Sequence, residues 1–327
     1  MKVLIIRFSS FGDIVQAMSC LDDLSLAYRD LEVHWLVRSD LSEVVAFDSR
    51  VNVISYDRNT GWKGLLSLAR ELREHKFDIV YDAHLSLRSR ILKLLVKPLP
   101  LIGPKWIVRS KERIKRFFLF KLGINFFPSP YKGMDSYRNP LKKIGIRPGK
   151  TLHPKWNITK MPEYKDKVVL CPSAAWEMKR WPVEHWKKLI QLLPDNQFVI
   201  LGGPQDHFCE DIANVDRTRV QNLAGKLSLK ESCLVVASAA MVVSADTGLI
   251  HVADLLGVSG ISLMGPTAFG FCSNENIVTM GVDLKCRPCT KDGRGSCSQD
   301  VYQKCMVEIA PEMVASKVSS TLISALK

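Results

Sequence analysis

Two carboxylates, a lysine, a histidine and a set of cysteines stand where their types and spacing could do chemistry. Asp13 closes the run Arg7-Phe-Ser-Ser-Phe-Gly-Asp, directly after an apolar stretch. A carboxylate there could take a proton from a substrate hydroxyl, or it could merely favour the start of a helix. Asp246, Thr247, Gly248 and His251 lie in Val242-Val-Ser-Ala-Asp-Thr-Gly-Leu-Ile-His251. A strand that breaks at small polar residues and restarts as a helix aims free N–H groups outward, which suits an anion. An ordinary βα turn capped by Asp246 or Thr247 accounts for that stretch equally well. Lys179 sits in the loop Pro172–Pro182 and could reach a phosphate, with Ser173 in the same loop.

The elements that must position these residues read as alternating strands and helices. Lys2–Ile6, Glu32–Val37, Asn52–Ser55 and Phe77–Asp82 are short apolar or β-branched runs. Helical periodicity follows the first of them at Ile14, Ala17, Met18, Leu21 and Leu24. Further strands are expected at Lys167–Cys171, Gln197–Gly203, up to Val243 and at Gly260–Gly265, with helices at Glu184–Leu193, Leu234–Ala240 and Leu249–Leu256. The alternation predicts parallel α/β sheets. No G-x-G-x-x-G or G-K-[ST] fingerprint follows the first strand. Three loops, Ser173–Lys179, Gly202–Asp206 and Ser244–His251, fall at strand ends, where open α/β sheets bind ligands. The proline-rich stretch 128–166 reads as the connection between two halves.

Charge divides the same way. Over residues 1–160 there are 29 Lys and Arg against 15 Asp and Glu, a net of +14, whereas residues 161–327 carry a net of −1. From Leu85 to Lys121 eleven cations face Glu112 alone, interleaved with Trp106, Phe117, Phe118 and Phe120. This points to a polyanionic partner for the first half: an acidic or phosphorylated acceptor, anionic lipid, or RNA. No nucleic-acid motif accompanies the charge. No apolar run reaches the length of a membrane span, and Val3–Ile6 is too short for a signal peptide, so the expected location is cytoplasmic.

Four of these features together resemble the bacterial heptosyltransferases of glycosyltransferase family 9. They are Arg7-x-Ser-Ser-x-Gly-Asp13, Lys179-Arg-Trp-Pro-x-Glu-His-Trp186, Gly202-Gly-Pro204, and Val242-Val-Ser-Ala-Asp-Thr-Gly-x-x-His251 followed by Gly265-Pro-Thr267. The resemblance implies a GT-B fold, two Rossmann-like parallel-sheet domains facing a central cleft. An acceptor domain would occupy 1–155 and a nucleotide-sugar domain 156–327, with the last helix, about 311–327, able to pack back on the first. It implies an inverting transfer without a bound metal or cofactor, from ADP-heptose to an anionic, lipid-linked lipopolysaccharide inner core, at the inner face of the bacterial inner membrane. Asp13 would be the base. Ser173, Lys179, Gln205, Asp206, Asp246, Thr247, Gly248 and His251 would hold the donor, and Arg7, Ser10, Arg58, His84, Arg88, Arg109, Arg113 and Arg116 the acceptor. Two positions depart from the pattern. Ser19 replaces the usual proline, and Ala174 and Ala175 stand where phosphate-contacting threonines are common, which leaves the donor sugar open.

Cys286, Cys289, Cys297 and Cys305 have a spacing compatible with a structural zinc site, though reduced thiols or an occasional disulfide are the favoured reading. His34, His153, His185 and His207 show no ligand spacing. Two other functions compete with the heptosyltransferase reading. One is the same fold using another nucleotide sugar or acceptor. The other is a non-catalytic protein docking on RNA or anionic lipid, for which Asp13 would have no purpose.

Overall fold

The computed structural model describes residues 1–97 and 103–325. It divides into two compact units, Met1–Arg113 with Met134–Asn157, and Ile114–Gly133 with Ile158–Lys327.

In the first unit, strands β1 (Lys2–Ile6), β2 (Glu32–Arg38), β3 (Val51–Tyr56), β4 (Ile79–Asp82) and β5 (Lys105–Val108) form one sheet in the order β3-β2-β1-β4-β5. Every pairing is parallel. The central strands are buried on both faces, which explains their continuous apolar runs. Leu4 and Ile6 of β1 pack into a core with Leu65, Leu68 and Leu72 of one helix and Leu92 of another. The helices of this unit are α1 (Phe11–Met18), α2 (Cys20–Ala27), α3 (Ser42–Val45), α4 (Gly61–Glu74) and α5 (Leu87–Val96). The first helical stretch is two helices rather than one. It breaks at Ser19, whose hydroxyl bonds the carbonyl of Gln16 at 2.6 Å instead of continuing the ladder.

The chain then crosses to the second unit. Helix α6 (Arg113–Leu122) starts at the boundary, and α7 (Gly133–Arg138) returns to the first unit. Residues 114–133 therefore group with the second unit, although charge alone places them with the basic first half. Their anchors are rings: Phe120, Phe127 and Tyr131 all meet Phe269 at centroid distances of 5.0–5.9 Å.

The second sheet runs β11-β10-β9-β6-β7-β8, again all parallel. Its strands are β6 (Val168–Cys171), β7 (Phe198–Ile200), β8 (Val220–Asn222), β9 (Met241–Ala245), β10 (Gly260–Leu263) and β11 (Ile277–Met280). Around it lie α8 (Val183–Leu192), α9 (Phe208–Ala213), α10 (Leu229–Ser238), α11 (Gly248–Leu256), α12 (Lys304–Val307) and α13 (Pro311–Ala325). Helix α13 packs on α8, and its Val314, Ala315 and Val318 join the core of this sheet. That apolar face is occupied within the second unit; residues 326–327 of the expected last helix lie outside the description.

Candidate active site

Each sheet has one topological switch point, where consecutive crossovers leave a central strand in opposite directions. It falls between β1 and β4 in the first sheet and between β6 and β9 in the second. Ligands of open α/β sheets bind beyond the strand ends at such a point. The loops there carry the candidate residues of each unit.

At the first switch point Asp13 lies in the first turn of α1, 38% exposed in its side chain. Arg7 Nη2 is 2.5 Å from Oδ2, Ser10 Oγ donates to Oδ2 at 2.7 Å, and Tyr137 OH donates to Oδ1 at 2.6 Å. Ser10 occupies the N-cap position of α1 but makes no capping bond, its hydroxyl turning to the carboxylate. Burial would raise the Asp13 pKa. Arg7, then Ser10 and Tyr137, outweigh it and hold the carboxyl well below the usual range. Arg7 is itself buried and held by the carbonyl of Ala83, just past β4, at 2.9 Å. The Arg109 guanidinium sits 4.0 Å from the centroid of the Tyr137 ring and bonds Ser136 Oγ at 2.8 and 3.1 Å.

His84 follows β4, its ring edge-on to Phe8 at 5.5 Å. Burial, then the charges of Arg7 and Lys111, push it down to about 4, so it is neutral at pH 7. Arg7, Ser10, His84 and Arg109 are thus gathered around Asp13. Among the described residues, Arg58, Arg88 and Arg113 make no contact with this cluster. Arg58 and Arg88 are exposed on a 3-10 turn before α4 and on α5, and Arg113 is exposed at the start of α6. Arg116 belongs to the second unit, its guanidinium 4.6 Å from the Phe269 ring centroid, because α6 packs there.

At the second switch point Lys179 Nζ meets Asp246 Oδ2 at 2.7 Å. Asp246 also accepts from Thr267 Oγ1 at 2.9 Å and faces His251 Nε2 at 3.7 Å. Burial would raise the Asp246 pKa, and Lys179 followed by His251 reverses the effect, so the carboxyl is held far below its ordinary range. Thr247 is the N-cap of α11 but makes no side-chain capping bond, and its hydroxyl lies 3.2 Å from Ser244 Oγ. The capping expectation for Thr247 therefore fails in its side chain. The first amides of α11, from Gly248 on, have no side-chain cap, as an anion site requires.

Ser173 and Asp206 play a bracing role. Asp206 Oδ2 accepts from Ser173 Oγ at 2.6 Å and from the Gly203 amide at 2.7 Å, tying the loop after β6 to the loop after β7. Gln205 is exposed in the same turn. Ala174 is buried and offers its carbonyl to Arg180 at 3.0 and 3.1 Å.

Sequence reasoning missed three contributors. Tyr137 reaches Asp13 across 124 positions, from a stretch legible only as a connector. Gly270 leaves room for Asp246, since a Cβ there would lie 2.1 Å from Oδ1. Gly293, at φ +93°, lets the cysteine-bearing loop lie on the Lys179 stem, with Cγ 2.7 Å from where a Cβ would be. Arg294 over Trp176 at 5.2 Å, and Gln303 donating to the Glu177 carbonyl, fix the same loop on the Lys179 segment. The Gly-rich composition of 292–295 was the available signal for this cover.

The cysteine loop itself does not form a ligand cluster. Among the described residues, His251, Asp254 and Cys272 are the group whose ligand atoms lie within 4.8 Å of one another. There Asp254 accepts from the amides of Ser273 and Asn274 at 2.7–3.0 Å, which pins the loop after β10 to α11. Cys289 is exposed and Cys305 buried, and all four loop thiols are unbridged.

The glycosyltransferase family 9 (heptosyltransferase) model matches residues 137–298. This range contains Lys179, Asp246 and His251 with the loops that hold them. Over that range the chain is similar to glycosyltransferase family 9. A lipopolysaccharide heptosyltransferase 1 of Pseudomonas aeruginosa is 23% identical over 99% of both chains. The lipopolysaccharide core heptosyltransferase OpsX of Haemophilus influenzae is 24% identical over 79% of this chain and 77% of its own. Among solved structures, Escherichia coli ADP-heptose lps heptosyltransferase II superposes with a TM-score of 0.74 at 19% identity, covering 100% of both chains. Escherichia coli heptosyltransferase WaaC with ADP-2-deoxy-2-fluoro heptose gives 0.70 at 19% identity, over 98% of this chain and 99% of that one. The two sheets are those of the GT-B fold, and the protein is a glycosyltransferase.

Proposed function

We propose that this glycosyltransferase transfers a heptose from ADP-heptose to an anionic inner-core acceptor of lipopolysaccharide. The observation that carries the reading is the family match over the switch point where Lys179, Asp246 and His251 meet beside the uncapped start of α11. The names of relatives and the heptose analogue in the WaaC structure support the donor. Residues 1–113 and 134–157 carry 24 Lys and Arg against 15 Asp and Glu, a net of +9, which supports an anionic acceptor on the first unit.

In this mechanism an acceptor hydroxyl oxygen attacks the anomeric carbon. The bond from that carbon to the diphosphate breaks, ADP leaves with the electron pair, and the configuration inverts. The hydroxyl proton passes to Asp13. Asp13 is a weak base because Arg7, Ser10 and Tyr137 hold it ionised. That suffices once the new C–O bond has begun to form, since the attacking oxygen then carries positive charge and its proton is acidic. Lys179 and the Thr247 and Gly248 amides take the charge of the leaving diphosphate without need of a metal ion. Asp246 aims Lys179, and Asp206 with Ser173 shapes the loop. The acceptor's lipid anchor puts the reaction at a membrane surface, the inner face of the inner membrane.

Thermal shifts with ADP, UDP and GDP test the donor half, because a ligand at 100 Kd adds about 2.7 kcal/mol. Selective stabilisation by ADP, abolished in Lys179→Ala, is expected. Asp13→Ala should retain the shift and lose transfer by ~100-fold or more. No shift with any nucleotide, or near-normal turnover of Asp13→Ala, refutes the respective half. A shift with UDP or GDP instead selects a different nucleotide sugar, the reading favoured by the missing hydroxyls at Ala174 and Ala175.

A further inference from the structure

The segment 113–134 contains Arg113, Lys115, Arg116, Lys121 and Lys132 and no Asp or Glu. Its helix α6 has two faces. Leu119 is buried, and Phe120 and Arg116 pack on Phe269. The other face carries Ile114, Phe117 and Lys121 at i, i+3 and i+7, with Phe118 and Leu122 at i+4 and i+8. Ile114, Phe117 and Leu122 are 54–75% exposed, and Ile124 and Phe126 just beyond the helix are 46% and 55% exposed. Phe117, Phe118 and Phe126 touch edge to face at 6.1 and 5.4 Å, so these rings form a continuous apolar patch. A contiguous exposed apolar patch of this kind marks an interaction surface.

We infer that this face, from Ile114 to Phe126, docks the protein on an anionic bilayer. Apolar side chains flanked by cations on a short amphipathic helix match the acyl boundary and headgroup charge of such a surface. A second copy of the chain suits it less well. Two-fold pairing of the patch would set the exposed Lys121 of one copy against the Lys121 of the other, like charges that disfavour it. No described helix is long and apolar enough to cross a membrane, so the contact is interfacial. The inference holds whichever sugar is transferred.

Co-sedimentation of the full chain with phosphatidylglycerol-containing vesicles, and with pure phosphatidylcholine vesicles, tests it. The parent should sediment with the anionic vesicles only. The double variant Phe117→Ser/Phe126→Ser should lose at least about tenfold in partitioning, from the apolar area it withholds. Lys121→Glu should lose about thirtyfold, one cation's attraction being replaced by an anion's repulsion. These side chains are exposed, so thermal melts should match the parent, and transfer to a lipid-free acceptor should be unchanged. Equal sedimentation of parent and Phe117→Ser/Phe126→Ser overturns the proposal, as does equal binding to neutral vesicles. It is also overturned if the parent ignores vesicles but forms a dimer that the double variant cannot.

Discussion

Lys179→Met removes the ammonium of a 2.7 Å ion pair and keeps the apolar stem against Gly293. The side chains of Lys179 and Asp246 are 16% and 8% exposed, so solvent screens the pair little. Removing one partner of such a pair costs about 3–5 kcal/mol, because a charge is left buried. Thr267 at 2.9 Å and His251 at 3.7 Å still face Asp246, which points to the lower end, about 3 kcal/mol. Asp246→Asn leaves the ammonium behind instead and should cost a similar amount. The double variant buries neither charge, so it should fall short of the sum by about 2 kcal/mol or more. Hydrogen exchange of β9 against urea reads the stability of the second unit by itself. The pH dependence has a definite sign. A depressed Asp246 contributes stability that is present above the unfolded value near 4 and is lost as pH falls through the folded value. Without Lys179 the burial effect dominates, so acid unfolding of Lys179→Met should begin at higher pH than in the parent. Additive single variants, coupled by less than ~0.5 kcal/mol, would show that the ion pair does not organise this switch point.

Gly270→Ala puts a methyl group where Asp246 Oδ1 lies, 2.1 Å away, and should cost ~1–3 kcal/mol with a weaker ADP thermal shift. An unchanged shift would mean that the loop yields without moving Asp246. His84 titrates near 4, against about 6.5 unfolded, so the unfolded chain binds the extra proton between those values. Stability should therefore fall as pH drops from 6.5 to 4, by up to about 3 kcal/mol, and His84→Gln should flatten that slope in urea melts. Tyr137→Phe deletes the 2.6 Å bond to an ionised carboxylate and should destabilise the first unit by ~1.5–3 kcal/mol at pH 7. A loss under ~0.5 kcal/mol would mean that water replaces the phenol.

The interior of each sheet was legible for a physical reason. Strands β1, β4, β6 and β9 are buried on both faces, so they read as unbroken apolar runs that end at polar loops. Strands β5, β8 and β11 went unread, and all three lie at sheet edges. An edge strand packs on fewer neighbours and tolerates Lys105, Gln221 or Thr279 without penalty. The loops that carry Lys179 and Asp246 were legible as loops, and Asp13 was legible as standing at the start of a helix. Their partnerships were not, because Tyr137–Asp13 and Thr267–Asp246 join separate stretches and leave no periodicity. Asp206 shows the limit of motif reading. Its place beyond β7 was readable, but the hydroxyl of Ser173 and the amide of Gly203 that use its carboxylate are visible only in three dimensions. Arg116 was grouped with the basic first half because charge composition follows chain order, whereas the Phe269 contacts group α6 with the second unit.

Asp13 and Asp246 are the same residue type beside the switch points of two sheets, one after β1 and the other after β9, and their surroundings suit them to different work. Both are held ionised by a cation and a hydroxyl. Asp13 is 38% exposed, so a substrate hydroxyl can replace Ser10 or Tyr137 as its donor without breaking the Arg7 contact. Asp246 is 8% exposed and ringed by Lys179, Thr267, His251 and Gly270, which leaves no approach for a substrate oxygen. It can act on a ligand through the ammonium it holds. A carboxylate that must exchange partners during turnover has to stay open, while one that fixes a phosphate-binding lysine has to stay closed. On this reasoning, substitutions around Asp246 should weaken nucleotide binding and stability together. Substitutions of Asp13 itself should spare nucleotide binding and remove transfer.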